Sequence, residues 1–306
     1  MEDISHIHHI SAIVGNPEEN IQFYRDILNL KLIKKTVNFD DPSTYHLYFA
    51  NGNVDNGTIL TFFNWPNNYK GRIGSGQVQR IAFRVPKGSL EDWEKHLQSH
   101  GIETARTQLF NKATVEFSDT HALPLALVEA DEVHTYDSGE NIIGFHGVSM
   151  LSIEPYQTVR TLNEDMGLEL IDENKSHIHL ETKGEWRHHV IVQKEVADVR
   201  VRWGVGVVHH IAWSVPNDEE HKAWQMKMKD KGYHVTEVKD RNYFNAIYMK
   251  ERGGIIFEFA TEGPGFTIDE RFEDLGTHLM LPPQYEEQRE ALLKLLPPVT
   301  FRLILQ

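Results

Sequence analysis

The sequence contains no cysteine, which excludes a disulfide scaffold, thiolate zinc sites, iron–sulfur clusters and a cysteine nucleophile. It contains no apolar run near the ~18 residues that a membrane-spanning helix needs. Its opening Met-Glu-Asp-Ile-Ser-His has neither the basic nor the apolar region of a secretory leader, so a cytoplasmic protein without a membrane partner is expected. Positive charge is scarce: 31 Lys and Arg face 45 Asp and Glu, for a formal net charge of −14. A nucleic-acid groove or an anionic membrane surface would need clustered Lys and Arg, so neither partner is expected. What remains is a 306-residue chain, 40% hydrophobic, long enough for two domains or for one built from repeats. Histidine is the abundant oddity, with 18 copies and three adjacent pairs, His8-His9, His188-His189 and His209-His210.

The chain repeats itself. Val208-His209-His210-Ile211-Ala212-Trp213-Ser214-Val215-Pro216 is matched by Val78-Gln79-Arg80-Ile81-Ala82-Phe83-Arg84-Val85-Pro86. Both alternate apolar and polar residues as a half-buried strand does. Each runs into an amphipathic helix, one carrying Leu90, Trp93 and Leu97 and the other Trp224 and Met228. Both helices stop at a glycine suited to a left-handed cap, Gly101 and Gly232, and strand-like sequence follows. The same grammar recurs at Ile7–Val14, leading to a helix over Pro17–Leu28 closed by Asn29. It recurs again at Phe145–Met150, leading to a helix around Thr158–Asp165. With His9, Arg80, His146 and His210 as markers, the gaps are 71, 66 and 64 residues. About three strands follow each helix; in the last module they are expected at Tyr233–Val238, Ala246–Lys250 and Gly254–Phe259. The fold class expected is α+β, with four βαβββ modules paired into two half-barrel domains, because a single module leaves one sheet face unburied. Residues 1–135 hold modules one and two, residues 140–265 hold modules three and four, and residues 266–306 form a tail with a helix over Gln284–Leu295.

Alignment of the modules predicts which polar residues face each cup. The first strands contribute His9, Arg80, His146 and His210, and the last strands contribute Thr61, Val128, Glu258 and a residue near Gln193. Modules one and four together supply His9, His210, Glu258 and Thr61. Two neutral imidazoles and one carboxylate form the facial triad that holds Fe(II) and leaves positions open for substrate and O₂. Glu258 lies in the apolar strand Ile-Ile-Phe-Glu-Phe-Ala, where an unpaired carboxylate would cost several kcal/mol. Modules two and three offer His146 beside Arg80 and Val128, a set that would not hold a cation and reads as a vestigial cup. His146, His46 and His188-His189 read as structural histidines.

These segments make the sequence recognisable. The repeated unit resembles the vicinal oxygen chelate superfamily of glyoxalases, bleomycin-resistance proteins and type I extradiol dioxygenases. More closely, it resembles the hydroquinone-type ring-cleaving dioxygenases, the group of the dichlorohydroquinone dioxygenases and the Mhq hydroquinone-stress enzymes. The carrying segments are Ile7–Ser11, Thr44–Phe49, Pro86–Leu90, Val208–His210, Asp240–Phe244 and Gly253–Glu258. The resemblance implies iron at His9, His210 and Glu258, with manganese(II) as the alternative ion, and supporting residues at His8, Ser11, His209, Arg241 and Tyr248. Ser11 stands where the dichlorohydroquinone enzymes carry threonine, which changes pocket shape. His209 is adjacent to a ligand and faces the cup if its strand bulges. Tyr248 could donate to the substrate and Arg241 could stabilise negative charge, unless Arg241 only closes a turn with Asp240. The partners implied are a small aromatic diol and O₂, in a monomer or a homo-oligomer. The alternatives are catechol cleavage, a glyoxalase-like lyase or isomerase, for which Thr61 is a poor fourth ligand, and a protein that merely sequesters an aromatic compound.

Overall fold

The computed structural model describes residues 2–65, 69–131 and 141–299. The expected boundary between 135 and 140 and the end of the tail, 300–306, lie outside these residues. Four modules follow one another as expected. Module one comprises β1 (Ile7–Val14), β2 (Lys31–Val37), β3 (Tyr45–Ala50) and β4 (Ile59–Asn64); module two comprises β5 (Gln77–Val85), β6 (Ala105–Leu109), β7 (Lys112–Ser118) and β8 (Pro124–Glu129). Module three comprises β9 (Gly144–Leu151), β10 (Glu169–Glu173), β11 (His177–Glu181) and β12 (His189–Gln193); module four comprises β13 (Val207–Val215), β14 (Lys239–Asp240), β15 (Phe244–Lys250) and β16 (Ile256–Pro264).

A helix follows the first strand of each module: α1 (Pro17–Ile21), α2 (Leu90–Ser99), α3 (Pro155–Arg160) and α4 (Asp218–Asp230). Side-chain oxygens start two of them. Asn16 accepts from the backbone N–H groups of Glu18 and Glu19, and Asn217 from those of Glu219 and Glu220. The helix expected over Pro17–Leu28 continues past α1 as a π-helical turn, Gln22–Ile27, before Asn29 at φ 55°. A similar turn, Thr161–Asp165, follows α3. In module four the strand expected at Tyr233–Val238 is not formed: Val235 makes one isolated bridge to Met249, and β14 comes after that segment. The tail helix is shorter than expected: Pro283–Gln288 winds as a 3₁₀ turn before α5 (Arg289–Leu295).

Among the described residues sixteen strands form two eight-stranded sheets, in the orders β14-β15-β16-β13-β1-β4-β3-β2 and β10-β11-β12-β9-β5-β8-β7-β6. Module one therefore joins module four through antiparallel β1 and β13, and module two joins module three through β5 and β9. This corrects the division into 1–135 and 140–265, because each sheet draws strands from both halves.

Bulges set the register. Between β1 and β13 the pairs run His9↔Ala212, Ser11↔His210 and Ala12↔Val208, which leaves His8 and His209 as extra residues. Between β5 and β9 the extra residues are Gln79 and His146. His146 is thus equivalent to His209, and Gly147, not His146, takes the position of His210. Parallel pairing corrects the last strands in the same way. Glu258 lies beside Ala212 and Thr61 beside Ser11, so their counterparts are Ala126, beside Ala82, and Ile191, beside Ser149, rather than Val128 and Gln193.

The convex faces carry the main core against the helices, including Trp93, Trp224, Phe259 and Leu97. The concave faces differ. The first half-barrel holds Tyr48, Ala212, Tyr243, Phe244, Ala246 and Ala260, and the second holds Ala82, Phe110, Ala126, Val128 and Ile191. The tail is tied across the first half-barrel. Lys34, wholly buried on β2, donates to Asp269 and Glu270, each at 2.6 Å, and the Tyr285 hydroxyl donates to the Phe39 carbonyl at 2.9 Å. A buried ammonium needs such partners. Among the described residues no helix is long and apolar enough to cross a membrane.

Candidate metal centre

His9 on β1, His210 on β13 and Glu258 on β16 meet on the concave face of the first half-barrel. Their ligand atoms all lie within 4.8 Å of one another, and among the described residues no other set of His, Asp or Glu side chains does this. The Nε2 atoms of His210 and His9 stand 2.9 Å and 3.4 Å from Oε2 of Glu258. Neither carboxylate oxygen has a partner in hydrogen-bond geometry, although Glu258 is completely buried. Burial alone would push its carboxyl up, but the two imidazoles outweigh it and hold the group well below the usual carboxylate range. An orphaned buried carboxylate facing two ring nitrogens fits a divalent cation, which would satisfy all three donors.

The bulges now show their use. Nδ1 of His9 lies 2.8 Å from Nδ1 of His8, and Nδ1 of His210 lies 2.8 Å from Nδ1 of His209. Each contact takes one proton. If that proton sits on His9 and His210, their Nε2 lone pairs are free to face a cation. Burial, with the neighbouring imidazole, lowers His8 to about 4 and His209 to about 3, so both are neutral acceptors. Without the bulges, alternate residues would point to opposite faces and neither neighbour could reach. Replacing His209 with Phe should therefore weaken metal binding by about 10–100-fold, the usual cost of losing such an orienting contact. Chelator competition measures this, and unchanged affinity would show that His209 does not orient His210.

A cavity of about 220 Å³ opens beside the triad. Phe39, Phe63, Trp65 and Phe244 give it aromatic walls, and His46, His209, Arg241 and Tyr248 bring polar groups to it. Tyr248 is the direct cross-strand partner of Glu258. Its hydroxyl accepts from Nε of Arg241 at 3.2 Å, and Nη2 of Arg241 donates to Asp40 at 3.0 Å. Arg241 is therefore held by Asp40 across the sheet; Asp240 instead accepts from the Asn242 N–H. Burial pushes the Tyr248 hydroxyl well above its ordinary range, so it keeps its proton. Ser11 lies behind this surface. Its hydroxyl meets Thr61 at 2.6 Å, Thr61 meets Nε2 of His46 at 3.0 Å, and Nδ1 of His46 meets the Tyr48 hydroxyl at 2.9 Å. His46, read from sequence as structural, thus lies in the cavity wall. Its sequence signal was the same-face spacing of His46 and Tyr48 on an otherwise apolar strand. The structural reading does suit His188, whose Nδ1 accepts from the Ile7 N–H at 2.8 Å.

Comparison with known proteins adds four findings. The family model described as the Glyoxalase/Bleomycin resistance protein/Dioxygenase superfamily matches residues 6–259. MhqO of Bacillus subtilis (strain 168), which carries the provisional name of ring-cleaving dioxygenase, is 45% identical over 303 residues, 97% of each chain. The chlorohydroquinone/hydroquinone 1,2-dioxygenase of Sphingobium indicum is 26% identical over 311 residues, 96% of each chain. A crystal structure from Bacillus subtilis subsp. subtilis str. 168, provisionally named a dioxygenase, matches 99% of both chains with a TM-score of 0.94 at 41% identity.

Proposed function

The chain belongs to the glyoxalase/bleomycin resistance protein/dioxygenase superfamily, and from that premise we propose that it is an iron(II)-dependent dioxygenase that opens the ring of hydroquinone-type diols. The observation that carries this reading is the unpartnered carboxylate of Glu258 between two imidazole Nε2 atoms, beside a ring-sized aromatic cavity. The names of the relatives, one of them a hydroquinone dioxygenase, support the same class. His9, His210 and Glu258 would hold the metal. When bound there, iron(II) lowers the pKa of a phenolic oxygen and leaves coordination positions open for that oxygen and O₂.

The chain's own residues supply the rest. A cavity of about 150 Å³ accepts benzene, so about 220 Å³ admits one substituted ring. Aromatic walls bury its faces and exclude water. Tyr248, whose hydroxyl oxygen accepts from Arg241, keeps its own proton to donate into the cavity, while Arg241, steadied by Asp40, stabilises negative charge developing on oxygen. His209, neutral and with Nδ1 accepting from His210, carries its own proton on Nε2 and donates a hydrogen bond to a substrate oxygen. One ring carbon–carbon bond next to a hydroxylated carbon breaks, and both atoms of O₂ enter the product. Thr61 is engaged by Ser11 and His46, so it makes no fourth ligand of the kind a glyoxalase-like reaction uses.

The test is anaerobic loading with iron(II), then oxygen uptake on hydroquinone and on catechol. We expect one O₂ consumed per hydroquinone and a higher kcat/KM than for catechol. Faster catechol cleavage would overturn the substrate class, and no uptake with either diol by a fully loaded enzyme would overturn the dioxygenase reading.

A further inference from the structure

The second half-barrel has lost its metal ligands but not its cavity. A space of about 500 Å³ is lined there by Arg84, Lys112, His146, His189 and Trp186, among others. Among the described residues it holds no set of metal ligands: the positions equivalent to His9, His210 and Glu258 hold Arg80, Gly147 and Ile191. No side chain can return at Gly147, because a Cβ would stand 2.0 Å from the His189 carbonyl.

Two groups in this cavity want a partner. His146 is 2% exposed, and neither of its ring nitrogens has a hydrogen bond. Leaving a buried polar group unpaired costs about 1–3 kcal/mol, so such a residue calls for a ligand. Arg84 donates Nη2 to the Arg187 carbonyl at 2.7 Å and lies over the Trp186 ring. Among the described residues no carboxylate lies within ion-pair range of it. The other cations are taken, Lys112 by Asp131 and Arg187 by Glu181, and Glu185 is exposed at the rim. Burial keeps His146 and His189 uncharged. Among the described residues the cavity therefore offers one guanidinium without an ion pair, neutral imidazole donors and the ring of Trp186, with Phe110 packed edge-on against His146 at 4.8 Å.

We propose that the second half-barrel is a separate binding site for a small, unsaturated organic monocarboxylate, with its charge on Arg84 and a hydrogen bond from His146. One planar guanidinium fork matches one carboxylate. A phosphate dianion would call for more positive charge than the site leaves unpaired.

Calorimetric titration of the metal-loaded full chain, with benzoate as the probe, tests this. The same titration on Glu258→Gln separates the site from the candidate metal centre. We expect one benzoate per chain in both proteins, and at least tenfold weaker binding of the neutral isostere benzamide and of inorganic phosphate. Arg84→Gln and His146→Phe should each weaken benzoate at least tenfold without changing metal content or oxygen uptake. Arg84→Lys, which keeps the charge and loses the fork, should also bind more weakly and serves if Arg84→Gln does not fold. No benzoate binding, equal binding of benzamide or phosphate, binding lost in Glu258→Gln, or unchanged binding in the Arg84 variants would each overturn the proposal.

Discussion

Glu258→Gln is expected to abolish metal retention and ring cleavage while leaving the fold in place. The amide keeps the shape of the side chain but removes the charge that balances a divalent ion between two neutral imidazoles. Losing an orienting neighbour of a ligand costs 10–100-fold in affinity, so losing the one anionic ligand should cost at least ~100-fold, and turnover should fall with it. The fold should persist because Glu258 makes no hydrogen bond that holds β16 in place, and the β13–β16 and β15–β16 ladders run through backbone groups. Metal-free parent and variant should differ by no more than the ~0.5–3 kcal/mol of ordinary point substitutions. Metal then separates them. At a hundred times its dissociation constant, iron(II) or manganese(II) should stabilise the parent by about 2.7 kcal/mol, and the variant should gain nothing. Elemental analysis and thermal melts with and without metal measure both effects. Full metal occupancy in the variant would show that Glu258 is not a ligand.

The parts of this site that the sequence revealed are those written in local pattern. Period-two strands, helices closed at Asn29, Gly101 and Gly232, and a repeat near 66 residues announced four modules. The positions of His9, His210 and Glu258 followed from aligning them. Pairing of the modules was legible only through the ligand set, which grouped one with four and two with three; the strand edges alone do not say which other edge will cover them. Bulges were not legible. An extra residue at His146 leaves no compositional trace, yet it moves the equivalent of His210 onto Gly147. The same event at His209 turns a side chain that simple alternation would point away toward the cavity. Arg241 shows the remaining limit. The adjacent Asp240 was its obvious partner, but Asp40, 201 residues away, is the one it meets. Contacts of that length depend on how the sheets close, and so do the walls formed by Phe39 and Trp65.

The position of Tyr248 leads to the prediction that bears most on substrate choice. It stands directly across from Glu258, with its ring edge-on to His210 at 5.8 Å, and burial keeps it protonated. Tyr248→Phe keeps the ring and its packing, so metal content and stability should barely change. What it removes is the proton donor and the acceptor that Arg241 uses. Positioned proton transfer contributes about 10²–10⁴-fold in typical enzymes, so kcat on hydroquinone should fall at least ~100-fold. KM should change far less if the contact matters mainly as charge develops. The loss should depend on the ring. An ortho-diol can place both hydroxyls at the metal and needs little from the far wall. A para-diol carries its second hydroxyl a ring-width away, where an unmatched polar group would be costly. The wall is polar on that account: Arg241, Asp40 and Tyr248 form one chain of donors and acceptors along the cavity. The variant should therefore lose more on hydroquinones than on catechols, and Asp40→Asn, which loosens Arg241 without removing it, should show the same bias with a smaller loss. Steady-state oxygen uptake on both diol series reads the two ratios. An unaffected Tyr248→Phe enzyme, or equal losses on both series, would remove Tyr248 from the reaction and the para-diol preference with it, and would leave the three-ligand centre untouched.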